Sequence, residues 1–444
     1  MIFLIHSETE AGTIAANLGA SEYSYYFVLK EFRPVLEEYG IVVPIGDPAN
    51  EVDRIHRNAA SQGVASVFLS FSPPHKTFVA AECPTIPIFA WEFDRIPSES
   101  WSEDPRDDWR SVLGQARQAI THSAFAVKVV RQDMGDDYPI VSIPAPVWDR
   151  FAPLYHAEPS RGGKAASITL TVRGRVFDSR QIDLCPFRPQ ALREAGPALL
   201  PDGGERDQEQ RLRLGGVIYS AVFCPNDGRK NWFDMVCGFC WAFREIEDAT
   251  LILKLTHGKC DDAILAILGD LAKMGYFRCR VVIIDGFLSD QAYLDLAAVS
   301  AFSVNTSHGE GQCLPLMEYM SAGKPAVAPN HTAMADYLDA GNGFVVTSHL
   351  EPARWPHDPR QAFRTRRHRI DFESLLRAYG ESYRVATTDP ARYKAMAAAA
   401  HEGLRDHCSQ DRLRRHIRDV MLPKIQLQLI SAPVRPRSPA KSRA

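Results

Sequence analysis

Short apolar runs, each bounded by Gly, Pro or Asp, alternate with amphipathic segments through the first 150 residues. Ile2 to Ile5, Ile41 to Ile45, Ala65 to Ser70, Ile86 to Ala90 and Ile140 to Ile143 read as strands, and Ser21 to Tyr39 as a helix. The intervals between runs suit right-handed crossovers, which predicts a doubly wound, Rossmann-like domain over residues 1–150. From Phe151 the alternation fades. Arg161 to Lys164 and Pro201 to Glu205 are turn-rich, Ala166 to Arg173 suits a strand, and the whole stretch 151–213 reads as a linker or insertion.

Regular alternation returns at Gly215. Gly215 to Phe223, Thr250 to Leu255, Cys279 to Ile284, Phe302 to Asn305 and Pro325 to Ala328 read as strands. Asn231 to Glu247, Asp261 to Met274, Asp290 to Val299 and Pro315 to Ala322 read as the intervening helices. This predicts a second doubly wound domain over 214–370, and hence an α/β architecture with a ligand cleft between the halves, at the carboxyl ends of the strands. An Ala-rich helical segment follows over 371–428. The residues 429–444 are poor in apolar groups and read as a disordered tail.

Composition changes this picture little. Apolar residues make up 45% of the 444-residue chain and charged residues 24%, enough to build a core in each half. A formal net charge of -3 provides no basic field for nucleic acid, which is excluded as a first reading. The nine cysteines are scattered and the amino terminus carries no basic leader, which predicts a cytoplasmic protein. Cys237 and Cys240 fall on an apolar helix with no second Cys or His pair at zinc spacing, so core packing is expected of them and no metal site. No apolar run approaches the ~20 residues of a membrane span, so any membrane contact is expected to be peripheral, at the inner face.

The chemistry concentrates in Ser307 to Pro325. A polar loop follows a strand, Pro315 opens a helix and Gly323 closes it. Backbone amides at such a helix start, with the positive end of its dipole, suit a diphosphate or the polar face of a sugar. Gly311, Gln312, Cys313 and Leu314 are therefore candidate donor-binding positions. Glu310 precedes the helix and Glu318 lies inside it, so both can reach one ligand, and a carboxylate accepts hydrogen bonds from vicinal hydroxyls. For two glutamates alone, a helix-start charge and a solvated residue would be the simpler reading.

The surrounding pattern changes that balance. Glu310, Gly311, Pro315, Glu318, Gly323 and Pro325 resemble the E-G-x-x-x-P-x-x-E-x-x-x-x-G-x-P hallmark of group 1 (family 4 type) glycosyltransferases. The resemblance implies a GT-B fold, with two Rossmann-like domains facing a central cleft. It also implies that Glu310 contacts the donor sugar near the reacting centre, and that Glu318 binds the nucleotide ribose.

Upstream, the strand ending near Phe223 runs into Pro225-Asn226-Asp227-Gly228-Arg229-Lys230 and then an amphipathic helix. Cations at a strand end can neutralise a diphosphate leaving group. This turn resembles the place where the family's Arg and Lys hold the donor phosphates, although Arg229 and Lys230 are adjacent here rather than several residues apart. In the amino-terminal half, Trp91, Glu92 and Asp94 follow a strand. Rings cover the apolar faces of sugars and carboxylates accept from hydroxyls, so these are candidate acceptor-binding residues, competing with a purely structural loop. Changes at Glu92 or Asp94 are accordingly expected to affect acceptor use rather than nucleotide binding. Asn305 to His308 and Ser21 to Tyr26 are weaker candidates for the cleft, and Arg364 to Arg369 reads as a solvated loop.

The function these features imply is retaining transfer of a sugar from a nucleoside diphosphate sugar to a hydroxyl acceptor. That acceptor would be a carbohydrate or a lipid-linked precursor of a surface polysaccharide or glycolipid. Retention is inferred from the resemblance. No cofactor is expected, the nucleotide sugar being a substrate, and cations with backbone dipoles stand where other transferases use a metal. A sugar-nucleotide epimerase and a noncatalytic sugar-nucleotide binding protein are the alternatives. Product analysis and the absence of turnover, respectively, would reveal them. A dinucleotide dehydrogenase is disfavoured because no Gly-x-Gly-x-x-Gly turn follows the first strand.

Overall fold

The first-half apolar runs form β1 (Ile2–His6), β2 (Ile41–Pro44), β3 (Ser66–Phe71), β4 (Thr85–Phe89), β5 (Ala119–Thr121) and β6 (Ile140–Ser142) in a computed structural model of the chain. The structure describes residues 1–9, 24–156, 163, 165–190, 196, 198–205, 208–256, 259–286 and 288–422. Between the strands lie α1 (Ser24–Glu37), α2 (Pro48–Ser61), α3 (Trp109–Ala116) and α4 (Ala124–Met134), with the short α5 (Trp148–Phe151) at the end. The sheet is parallel throughout, in the order β2-β1-β3-β4-β5-β6. Every residue of β3 and β4 is buried, as covering both faces of a parallel sheet with helices requires. Of the region Ser21 to Tyr26, residues 21–23 lie outside the described residues, as does the tail 429–444.

The second sheet begins earlier than the sequence pattern indicates. The stretch 151–213 supplies β7 (Ala165–Arg173), β8 (Arg175–Asp178) and the first third of β9 (Glu209–Phe223), so its described core is sheet rather than linker. β7 pairs antiparallel with β9, and β8 runs antiparallel on the edge beside β11 (Arg280–Asp285). The strand expected over Ala166 to Arg173 is β7, while the start of β9 alternates between buried and exposed residues, unlike the continuous apolar runs of the central strands, and so lacks their signal. At Gly216 the strand turns into the parallel part of the sheet with φ +79°, and a Cβ there would lie 2.0 Å from the Asp248 carbonyl oxygen. Only glycine fits that bend.

The remaining elements are α6 (Trp232–Ala242), β10 (Ala249–Leu255), α7 (Asp261–Lys273), α8 (Asp290–Val299), β12 (Phe302–Val304), α9 (Leu314–Ser321), β13 (Ala326–Ala328) and β14 (Gly343–Val345). They complete a sheet ordered β14-β13-β12-β9-β10-β11-β8. Cys237 and Cys240 are buried on α6. Beyond it come β15 (Ser348–Arg354) and β16 (Phe363–Ile370), then α10 (Phe372–Thr388), α11 (Pro390–Cys408) and α12 (Gln410–His416).

A hairpin and the carboxy-terminal helices help bind the halves together. Arg364 to Arg369, read from sequence as a solvated loop, lies in β16, which pairs with β15 as a separate hairpin reaching across to the first domain. Asp94 accepts from Thr365 Oγ1 at 2.8 Å, from Arg366 N at 2.8 Å and from Arg366 Nε at 2.5 Å. Arg360 and Arg364 both hold Glu99, and Trp355 Nε1 donates to the Arg95 carbonyl at 3.1 Å. Within the arginine run, Arg364 and Arg366 reach first-domain carboxylates while Arg367 and Arg369 pair with Glu351 of β15, a division that local polarity cannot reveal. The carboxy-terminal helices form the second connection: Trp148 Nε1 donates to the His401 carbonyl at 2.9 Å, Gln410 N to Asp149 at 2.7 Å, and Arg414 pairs with Glu38. Side chains of α9, α11 and α12 share one apolar cluster with the first domain.

Asp94→Ala removes three hydrogen bonds, two of them from the hairpin's charged or backbone N–H groups. We expect faster amide hydrogen exchange over residues 363–370 and a loss of about 2 kcal/mol in global stability. Unchanged exchange in the hairpin would show that Asp94 does not fasten it.

Candidate functional site

A cavity of about 670 Å³ lies between the two sheets at the carboxyl ends of their strands. On the second-domain side it is floored by the turn after β9, the end of β12 and the start of α9. The chain takes up this shape for local reasons. Asp227 Oδ1 accepts from Arg229 N at 3.0 Å, which folds the turn back and presents Arg229 and Lys230 to the cavity. Cys313 caps α9 in the left-handed region at φ +64°, Pro315 occupies the first turn, and Gly323 at φ +70° ends the helix beside the Tyr155 ring. Gly311 to Pro315 therefore line the cavity where the helix begins.

Glu310 and Lys230 meet directly. Lys230 Nζ donates to both Glu310 oxygens, at 2.8 and 2.9 Å, while Asn305 Nδ2 and Ser307 Oγ donate to Oε1 at 3.0 and 2.5 Å. Burial works against ionisation of Glu310, but Lys230 and then Arg229 outweigh it and hold the carboxyl below its ordinary range. The same burial opposes the Lys230 charge, and Glu310 overcomes it, so the amine stays protonated.

The Arg229 guanidinium meets oxygens of three residues. It reaches Asp227 at 2.7 Å, the Gly309 carbonyl at 3.2 Å and, across the domain boundary, Glu92 at 2.5 Å. Burial raises the pKa of Glu92, and the Asp227 and Glu310 charges add to this, against the opposing pull of Arg229. Glu92, read from sequence as an acceptor-binding candidate, lines the cavity and is held there by Arg229 from the second domain. The domains touch closely here: a Cβ on Gly311 would lie 2.6 Å from the Ala90 Cβ, and one on Gly309 3.0 Å from the Glu92 carbonyl oxygen.

The other expected residues divide. Trp91 borders the cavity, yet its ring is packed against Phe93 and Trp109 and its Nε1 donates to the Arg95 carbonyl at 2.9 Å. Asp94 is absent from the cavity wall and belongs to the hairpin contact. Gln312 spans the halves, its Oε1 accepting from Ala145 N at 2.6 Å. Cys313 Sγ accepts from Asn305 at 3.1 Å, and burial raises its thiol pKa. His308 bonds through Nδ1 to the His368 carbonyl at 2.9 Å and takes no place on the wall.

Glu318 sits in a second corner, where Tyr293 donates its hydroxyl to Oε2 at 2.6 Å. Burial pushes the Glu318 carboxyl up to about 7, against the opposing effects of the Tyr293 hydrogen bond and Arg150. Next to it, Arg150 and Lys30 from the first domain bridge to Asp290 at 2.9 and 3.3 Å. Sequence reasoning missed Asn305 and Ser307 as Glu310 ligands, and it missed Tyr293 and Lys254. Lys254 lines the cavity from the end of β10, with its amine brought down to about 8 by burial and its Nζ on the Leu255 carbonyl at 2.6 Å. A lysine inside a buried strand was the available signal.

No family model and no curated protein matches the chain. Solved structures do. Anabaena HepE, in a complex with UDP and glucose, superimposes with a TM-score of 0.51 at 12% identity, covering 95% of this chain and 100% of that one. The sucrose-phosphate synthase of Thermosynechococcus elongatus gives 0.51 at 14% identity, covering 97% and 100%. The amino-terminal domain of Candida albicans trehalose-6-phosphate phosphatase gives 0.53 at 9%, covering 95% and 98%. S. aureus TarM also matches, with a TM-score of 0.46, and this chain spans 55% of its length. At these identities the likeness shows the fold: two Rossmann-like domains in the GT-B arrangement.

The raised Glu318 value has a consequence for stability. A carboxyl whose folded pKa lies above its unfolded one favours the fold while protonated. That contribution is complete below the ordinary carboxylate value and is lost as pH rises through about 7. Glu318→Gln removes the titration, so its melting temperature relative to wild type should improve between about pH 5 and about pH 8. Calorimetry at both values measures this, and a constant difference would place the Glu318 pKa in the ordinary range.

Proposed function

We propose that this chain is a retaining glycosyltransferase of the group 1 (family 4) type. In this reading it moves a hexosyl group from a nucleoside diphosphate sugar to a hydroxyl of a carbohydrate or lipid-linked acceptor, on the cytoplasmic side of a membrane, in surface polysaccharide or glycolipid synthesis. The observation that carries this reading is the cluster of Lys230, Arg229 and Glu310 at the start of α9, in one interdomain cavity with Glu318. Such a cluster has a task for each part of a nucleotide sugar. Arg229, Lys230 and the amides at the start of α9 face the diphosphate. Glu318, oriented by Tyr293, faces the ribose, and Glu310 faces the transferred sugar.

In the transfer, the bond between the anomeric carbon and the phosphate oxygen breaks while the acceptor oxygen bonds to that carbon on the same face. The acceptor proton passes to the departing phosphate oxygen, and the leaving diphosphate charge is met by the two cations. This requires no obligatory protein base. HepE, whose structure holds UDP and glucose, makes a uridine diphosphate hexose the first donor to test.

The Glu92–Arg229 pair adds a constraint. Arg229 and Lys230 already face the carboxylates of Glu92, Asp227 and Glu310, so an arriving diphosphate competes with Glu92 for Arg229. Removing the Glu92 charge should therefore tighten nucleotide binding rather than leave it unchanged. We expect Glu92→Gln to bind uridine diphosphate several-fold more tightly, on the order of 1 kcal/mol, by calorimetric titration. Equal or weaker affinity would mean that Glu92 does not contend for the phosphate position.

Glu318 and Glu310 should fail differently. Glu318→Ala should weaken both nucleotide product and intact donor by ~1 to 3 kcal/mol, through lost ribose hydrogen bonds. Glu310→Ala should keep or gain nucleotide affinity, because it frees Lys230 for the diphosphate, and should lose turnover, since the contact it is proposed to make with the sugar is gone. Titration of each folded variant, beside a transfer assay in the presence and absence of chelator, tests the reading. Full transfer by Glu310→Ala, or loss of the chemical step on chelation alone, would overturn it.

A further inference from the structure

Two side chains that border the cavity from the first domain each carry a buried nitrogen with no protein partner. His122, at the end of β5, turns Nδ1 to the Ile143 carbonyl at 2.9 Å, and its Nε2 has no hydrogen-bond partner. Trp109, at the start of α3, likewise has an Nε1 without one. Both side chains are nearly inaccessible, at 1% exposure each, and both border the cavity. Among the described residues, no other side chain combines a partnerless buried polar atom with a place on this wall. Buried polar groups are almost always satisfied, so such a pair at a ligand cavity points to a ligand that satisfies it.

The two nitrogens differ in chemistry. A proton held on Nδ1 for Ile143 leaves Nε2 with its lone pair, and burial brings the His122 pKa down to about 4, so the ring is a neutral acceptor near pH 7. The indole N–H of Trp109 can only donate. An anion could take the tryptophan N–H but has nothing to offer His122, and an ammonium group could satisfy His122 but not Trp109. A hydroxyl both donates and accepts. Rigid apolar surfaces stand beside the pair. The Trp109 ring is fixed by Trp91 and Phe89, at centroid distances of 4.5 and 5.8 Å, and Tyr25, Phe27, Pro73 and His357 line the same cavity. Such surfaces cover the C–H faces of a sugar ring.

We propose that His122 and Trp109 form a sugar-binding subsite, in which one ring hydroxyl donates to His122 Nε2 and the same or a neighbouring hydroxyl oxygen accepts from Trp109 Nε1. In the transferase reading, on which this assignment of the ligand rests, the subsite holds the acceptor. It takes the place of Glu92 and Asp94, which are held by Arg229 and Arg366, as the polar contacts for that substrate. His122 and Trp109 act by binding and take no part in proton transfer.

The experiment uses the full-length protein saturated with uridine diphosphate and titrated with methyl α- and β-glycosides of glucose, galactose, mannose and N-acetylglucosamine. At least one glycoside should bind saturably. His122→Phe and Trp109→Phe should each weaken it by about tenfold, and His122→Gln, which keeps an acceptor near the Nε2 position, by less. Without any mutation, the His122 Nε2 resonance of the wild-type protein should sit at the value of a neutral ring protonated on Nδ1, and should move when that glycoside is added. Absence of binding by every glycoside, equal affinity in His122→Phe, or an unmoved Nε2 resonance overturns the subsite. Failure to bind uridine diphosphate, with His122-dependent glycoside binding retained, overturns the transferase reading and leaves the subsite standing.

Discussion

The buried ion pair between Lys230 and Glu310 organises the whole site. Its partners come from the same, carboxyl end of two central strands of the second domain, Lys230 after β9 and Glu310 after β12, and those strands lie side by side and parallel in the sheet. A carboxylate taken out of water needs compensation at each oxygen, and Glu310 receives it from Lys230, Asn305 and Ser307 together. Losing one member of such a pair typically costs about 3–5 kcal/mol, because the remaining charge is left buried. Position and ionisation are thus secured by the same hydrogen bonds. The bend at Gly216 lets one long strand serve both the antiparallel extension and the parallel sheet that carries Lys230.

Around this pair, the two domains are drawn together by contacts that differ in kind. The hairpin of β15 and β16 offers arginines to Asp94 and Glu99, the carboxy-terminal helices bring apolar groups and main-chain partners to α1 and α5, and Gln312 ties the site loop to Ala145. Gly309 and Gly311 permit a close approach, where side chains would hold the first-domain loop away from the loop that carries Glu310. Closure places Glu92 within the cationic cluster. The electrostatics around Arg229 and Lys230 are therefore shared by both domains, and the role of a residue in one half cannot be assigned by its location in the chain.

Much of this was legible in the sequence. Continuous apolar runs in β3, β4, β10 and β11 report burial on both faces, and that pattern is local. The site helix, with Pro315 at its start and Gly323 at its end, is likewise written in neighbouring residues, and so is the presentation of Glu310, Glu318, Arg229 and Lys230 at strand and helix ends. These features depend on periodicity and turn chemistry, which act over a few residues.

What only the tertiary structure decided is partnership. Residues 165–178 show weak patterning because they form an edge extension, and their membership of the second sheet depends on pairing with β9 and β11. Asp94, Glu92 and Arg366 are charged groups on polar segments. Nothing within either segment distinguishes a side chain waiting for a sugar from one held by the opposite domain. His122 and Trp109 read locally as core residues, and their meaning comes from the cavity that the second domain completes. Sequence by itself determined the strands, the helix starts and the chemical groups placed at their ends, since propensity and period operate locally. The choice of which carboxylate meets which cation, and which buried nitrogen stays open to a ligand, belongs to the tertiary fold, because Coulomb and hydrogen-bond energies depend on distances that only long-range packing sets.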